Sequence, residues 1–111
     1  MMYSQGDILL LPILYTNLTT NKQWPVLVLS NNTYNQNADD IIVAAITSKL
    51  SELDFSIIIH TENLTAGKLK KTSAIRADKL YTLSKHIVKK KFGQVHKEIS
   101  DEVIVKVNEL L

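Results

Sequence analysis

Arginine occurs once in this chain, at Arg76, against twelve lysines. Asp78 follows two residues later, within Thr72-Ser-Ala-Ile-Arg-Ala-Asp-Lys79. In a strand, side chains at i and i+2 share a face, so Arg76 and Asp78 point one way while Ile75 and Ala77 point the other. A planar, permanently charged guanidinium beside a carboxylate suits contact with a phosphate and movement of a proton. The same pair also reads as a surface ion pair on a half-buried strand, worth little to stability. Thr47-Ser48 places two hydroxyls where the apolar run Ile41-Ile-Val-Ala-Ala-Ile46 ends. Two basic groups, Lys68, Lys70 and Lys71 and then Lys89 to Lys91, read either as a hold on a nucleic-acid backbone or as solvated faces. His60, His86 and His96 lack metal-ligand spacing and there is no cysteine, so no metal site and no cofactor is expected. Neither a glycine-rich phosphate loop nor a Ser-His-Asp arrangement occurs.

The elements that must position these residues are mostly strands. With 111 residues, 45% apolar and 22% charged, the chain is read as one globular domain, 1–111. A formal charge of +2 permits a nucleic-acid partner without demanding one. No segment approaches the roughly 20 apolar residues needed to cross a bilayer, and the N-terminus lacks a basic secretion start. The expectation is a soluble, cytoplasmic protein.

Ile8 to Tyr15 reads as a buried first strand, with Pro12 arguing for an edge position or a bulge. Thr16 to Gln23 is a polar loop, of a length that either carries function or is merely tolerated. Trp24 to Ser30 is a central second strand. Asn31 to Asp40 is a polar excursion with one short helical turn near Tyr34. Ile41 to Ile46 and Asp54 to His60 are the third and fourth strands, and Thr61 to Lys71 is a loop. The fifth strand covers Thr72 to Lys79, Leu80 to Lys85 connects, and His86 to Val95 is the sixth. Three consecutive lysines in an alternating strand require at least one to face inward, toward a groove or toward a partner. The terminal helix has Ser100 as N-cap and an apolar stripe of Val103, Ile104, Val107, Leu110 and Leu111. Its β-branched residues lower its propensity, so packing on the sheet must hold it. Short strands and a terminal helix predict a mainly β, largely antiparallel barrel or curled sheet.

Several segments then fall into a known order: Gly6-Asp-Ile, Pro25-Val-Leu-Val-Leu-Ser-Asn31, Tyr34-Asn35, Ile42-Val-Ala-Ala-Ile-Thr-Ser48, Lys70-Lys-Thr-Ser73, Ala77-Asp78, Thr82-Leu-Ser, Lys91-Phe-Gly93 and the closing helix. Together they resemble the MazF/PemK/Kid family of type II toxin–antitoxin toxins over nearly the whole chain. The resemblance implies an SH3-like barrel of the PemK/CcdB toxin type with a C-terminal helix, usually a homodimer. It implies metal-independent cleavage of single-stranded RNA, an mRNA interferase activity, and a protein antitoxin as inhibitor. Carried over by position, Asp78 would be the general base and Arg76 would stabilise the phosphorane. Thr47 would contact the scissile phosphate, and Ser48 would extend that site.

This sequence departs from the family pattern at Trp24, where most members have arginine before the proline, and in a first loop without histidine. Lys22 offers a point charge nearby, and Trp24 reads either as a base-stacking ring or as packing. Lys70 and Lys71 complete the RNA-binding candidates. Two further readings stand beside the nuclease: a catalytically degenerate member that still binds an antitoxin-like partner or RNA, and a topoisomerase-binding toxin of the same fold class.

Overall fold

The computed structural model describes residues 2–12, 23–50 and 54–111. Seven strands form one antiparallel sheet: β1 (Asp7–Pro12), β2 (Gln23–Val28), β3 (Asp40–Thr47), β4 (Ser56–Ile59), β5 (Leu64–Ala66), β6 (Ser73–Ser84) and β7 (Lys90–Val95). Their spatial order is β4-β6-β3-β2-β1-β7-β5. A short helix α1 (Asn32–Asn37) joins β2 to β3, and α2 (Lys97–Leu110) closes the chain. The helical turn expected near Tyr34 is α1, capped by the Asn31 side chain, which accepts from the Tyr34 N–H at 2.8 Å.

The unbroken apolar runs of β1, β2 and β3 are buried on both faces of the sheet. One face holds Ile8, Leu27, Ala44, Ile46, Ile59, Leu64, Ile75, Ala77 and Val95 with Ile99 and Val103 of α2. Ile59 and Leu64 come from the two strands at opposite ends of the sheet order, so the sheet curls around this core as a half-barrel. The other face holds Leu9, Leu11, Val26, Val28, Ile41 and Val43, rimmed by Tyr3, Trp24, Leu83, Ile87 and Val88.

Several element boundaries differ from the sequence expectation. The terminal helix begins at Lys97, not after Ser100, because Ile99 belongs to its apolar stripe and is buried with Val103. Burying such side chains contributes about 1.5–3 kcal/mol each, more than the roughly 0.7 kcal/mol that a β-branched residue costs in a helix. Ser100 is therefore an internal, buried helix residue, and His96 occupies the cap position.

The expected loop 61–71 contains a 3₁₀ turn, Thr61–Asn63, and strand β5, which pairs with β7. The sixth strand is shorter than expected, since Lys85–Ile87 forms a second 3₁₀ turn. Pro12 lies in a strand flanked by β2 and β7, yet at its last residue, where only β2 still pairs. The missing N–H therefore costs no ladder bond. All three lysines of the run stay exposed, and Lys91 alone reaches a buried group: its Nζ lies 3.2 Å from Oδ1 of the fully buried Asp7. Asp7 also accepts from the Ser4 N–H and from Gln94 Nε2.

β5 and β7 approach closely at Gly93. A Cβ there would stand 2.5 Å from the Ala66 carbonyl oxygen. Gly93→Ala is expected to push the two strands apart and to lower stability by about 1–3 kcal/mol, the usual cost of overpacking. An unchanged thermal midpoint would contradict this close-packed reading.

Candidate active site

β6 determines the site. Its first half pairs with the end of β3, from Thr47↔Ala74 to Ala45↔Arg76. Its second half pairs with the start of β3, from Ala44↔Leu80 to Asp40↔Ser84. Ala77, Asp78 and Lys79 thus have no partner on β3, which makes an extended bulge. Bulges of this kind re-aim side chains. On the other flank Arg76 stays opposite Ser56 of β4, and the Ala77 N–H donates to the Phe55 carbonyl at 2.9 Å. The segment expected as a connector, Leu80 to Lys85, is therefore strand as far as Ser84. The bulge shifts the phase of the apolar alternation, which hid its continuity from the sequence.

Arg76 and Asp78 share a face, as their spacing predicts. Arg76 Nε donates to Asp78 Oδ1 at 2.9 Å and Nη2 to Oδ2 at 2.7 Å, a bidentate pair. Both side chains remain accessible, at 28% and 34% exposure. The hydrogen bond from Arg76 holds the Asp78 carboxyl below its usual range, and the same bond raises Arg76 above its own. The site thus presents a permanent cation and an ionised carboxylate at neutral pH.

Register places the other candidates around this pair. Ala45 faces Arg76 on one side and Val26 on the other, on the face away from α2. Thr47, two residues along β3, lies on that face, half-buried, with its Oγ1 accepting from the Lys49 N–H at 3.1 Å. Ser48 is exposed just beyond. Trp24, two residues before Val26, lies on the same face and packs on the second core cluster. Lys70 and Lys71 are exposed immediately before β6, at the end of the sheet where Thr47 leaves β3. Lys22 lies outside the described residues, as do the last part of the expected first strand, 13–15, and positions 16–22 of the expected loop.

The structure adds Tyr81, which the sequence reading left inside a connector. Its ring meets Trp24 edge-to-face, with centroids 5.0 Å apart and planes at 78°. It pairs with Val43, so it lies on the Arg76 face, and its phenol is within electrostatic range of the guanidinium. Only the bulge could have revealed it, because an unbroken strand would put residues 76 and 81 on opposite faces. The histidines are dispersed: His60 precedes the first 3₁₀ turn, His86 lies in the second, and His96 caps α2. Among the described residues no three His, Asp or Glu side chains cluster as a metal site. No helix among them is long and apolar enough to cross a membrane.

A family model described as PemK-like, MazF-like toxin of type II toxin-antitoxin system matches residues 4–111. No curated protein matches the chain. Among solved structures, the Mycobacterium tuberculosis toxin MazF-mt6 is similar at 16% identity, over 93% of each chain, with a TM-score of 0.73. An endoribonuclease in complex with its cognate antitoxin from Mycobacterial species is similar at 18% identity, over 96% of this chain and 90% of that one, with a TM-score of 0.72. MazE-MazF (Form-III) from Deinococcus radiodurans is similar at 18% identity, over 99% of this chain and 96% of that one, with a TM-score of 0.77. At these identities the likeness establishes the fold, a mainly β curled sheet with a C-terminal helix.

Proposed function

Because the chain belongs to the PemK-like, MazF-like toxins of type II toxin–antitoxin systems, we propose that it is an endoribonuclease that cuts single-stranded mRNA in the cytoplasm without a metal ion. The observation that carries this reading is the accessible bidentate pair of Arg76 and Asp78, set at a bulge beside Thr47. The ribose 2′-hydroxyl attacks the adjacent phosphorus, forming the P–O2′ bond as the P–O5′ bond breaks. The departing 5′-oxygen takes a proton from solvent water to leave as a 5′-hydroxyl beside a 2′,3′-cyclic phosphate. Asp78 accepts the 2′ proton as general base. Arg76 neutralises the charge that builds on the phosphoryl oxygens. Thr47 and Ser48 hold the scissile phosphate.

The resting ion pair has a consequence for this chemistry. A carboxylate held below its usual range is a poor proton acceptor, since efficient bases have pKa values near the working pH. An RNA phosphate competes with Asp78 for the guanidinium, because both bind it through the same fork of N–H donors. Substrate binding then draws Arg76 from the carboxylate and raises the basicity of Asp78 as the phosphate arrives. Lys70, Lys71 and Lys22 supply backbone attraction, and Trp24 offers a ring for stacking on a base.

The partners follow from relationship. Two of the similar structures are complexes of a toxin with its antitoxin, and we infer a protein antitoxin and a homodimeric toxin here. Purified protein incubated with single-stranded RNA tests the nuclease directly: strand scission supports it, and intact RNA with correctly folded protein removes it.

One observation favours a second reading, a degenerate member that binds without cutting. Trp24, where the family resemblance implies an arginine, is half-buried against the aliphatic cluster and Tyr81. The nuclease reading expects Trp24→Arg to change an activity already present in the wild type by less than about tenfold, the effect of 1.4 kcal/mol. Cleavage seen only in Trp24→Arg would establish the degenerate reading instead.

A further inference from the structure

With Trp24 in place of an arginine, Arg76 is the chain's only guanidinium. A transferring phosphoryl group carries charge on several oxygens, and one fork of donors does not cover all of them. The site therefore calls for another donor on the same face. Tyr81 answers that description. It lies five positions beyond Arg76, an odd spacing that would put it on the far side of a regular strand. The three residues of β6 without a β3 partner reverse that phase. Arg76 opposite Ala45 and Tyr81 opposite Val43 consequently share one face. Trp24 fixes the Tyr81 ring through the edge-to-face contact. Edge-to-face aromatic pairs have a preferred geometry. The tyrosine stays 39% exposed, open to a ligand.

We infer that Tyr81 is a catalytic residue of this site, its hydroxyl donating a hydrogen bond to the RNA phosphoryl group that Arg76 neutralises. This rests on the cleavage reading above. The bond strengthens as negative charge grows on the phosphoryl oxygen, so it acts on the transition state more than on bound RNA. The hydroxyl acts as a hydrogen-bond donor, and no proton is transferred from it. Trp24 is a positioning residue in this arrangement, acting through the tyrosine ring. It replaces the charge of an arginine with a held hydroxyl.

The test is Tyr81→Phe, which keeps the ring and its contact with Trp24 and removes one exposed oxygen. Single-turnover cleavage of a single-stranded RNA oligonucleotide is measured beside binding of the same labelled oligonucleotide by anisotropy. A thermal melt accompanies both. The expected result is a rate about 10²-fold lower, as for loss of one transition-state donor, with binding and melting point unchanged. Cleavage by Tyr81→Phe at the wild-type rate overturns the inference while leaving the nuclease intact. A rate loss matched by an equal loss of binding also overturns it, because the hydroxyl would then be a ground-state contact. If the wild type itself leaves RNA uncut, the nuclease reading fails and takes the tyrosine's role with it.

Discussion

Replacing Arg76 by alanine is expected to lower RNA cleavage by about 10²–10³-fold, the range seen when one preorganised transition-state donor is lost. The effect is large because no second guanidinium exists to take over. The lysines cannot substitute in kind. An ammonium is a compact, strongly hydrated charge without the planar fork that matches phosphate. RNA affinity should weaken as well, since Arg76 contributes to ground-state attraction. Stability should change little, because the Arg76–Asp78 pair is solvent-accessible and such pairs contribute little to folding. Cleavage by Arg76→Ala at the wild-type rate, measured on protein with a native melt, would remove Arg76 from the site.

Asp78→Asn is expected to reduce cleavage by about 10²–10⁴-fold, the contribution typical of a positioned general base. Its signature differs from that of Arg76→Ala. Asparagine keeps an oxygen for the guanidinium but removes a negative charge beside the incoming phosphate, so RNA binding should hold or tighten while the chemical step fails. Weaker binding in Asp78→Asn would mean that the carboxylate organises the substrate rather than moves its proton. The pH dependence has a definite sign. The folded-state pKa of Asp78 lies below its usual value through the Arg76 hydrogen bond. Any stabilisation from the pair is therefore present above the unfolded-state pKa and is lost as pH falls through the lower folded value. Between pH 5 and 7 the free enzyme keeps its carboxylate ionised, and a cleavage rate that falls in that window reports on the RNA-bound state, where Arg76 has turned to phosphate.

Much of this arrangement was legible in the sequence, for reasons that can be traced to particular residues. The long apolar runs of β1, β2 and β3 are visible because both sheet faces are covered, one by α2 and one by the cluster that Trp24 rims. The shared face of Arg76 and Asp78 followed from a spacing of two, and the bidentate pair has that geometry. Thr47 was marked by a hydroxyl at the end of a buried strand, and register sets it on the Arg76 face. What stayed hidden depends on long-range contacts. The second half of β6 is out of phase with the first because three residues bulge, and no local pattern announces this. Tyr81 was lost with it. β5 is only three residues long and exists because Leu64 fills the main core and Gly93 lets the strands close up. The early start of α2 depends on Ile99 finding the same core. The lysine run stays exposed, and the one contact it makes with a buried group, Lys91 with Asp7, joins residues more than eighty positions apart in sequence.

The pair of Trp24 and Tyr81 has a place in the proposed site that the family resemblance does not supply. In the sequence Trp24 is a departure from an expected arginine. In the structure it sits on the face that carries Arg76, in edge contact with a tyrosine that the bulge has turned to the same side. The proposed site is built from one guanidinium, one carboxylate and hydroxyls, on strands whose backbones the sheet fixes. Positioning by strands rather than by a loop favours precise placement of a reacting phosphate.

The central claim is that Arg76 and its neighbours cut RNA without a metal. The most direct measurement is gel analysis of a single-stranded RNA incubated with purified wild-type protein in excess chelator, beside Arg76→Ala at equal concentration. Discrete cleavage by the wild type is expected, and about 10²–10³-fold less by the variant. Intact RNA with folded wild-type protein, or equal cleavage by both proteins, would contradict it.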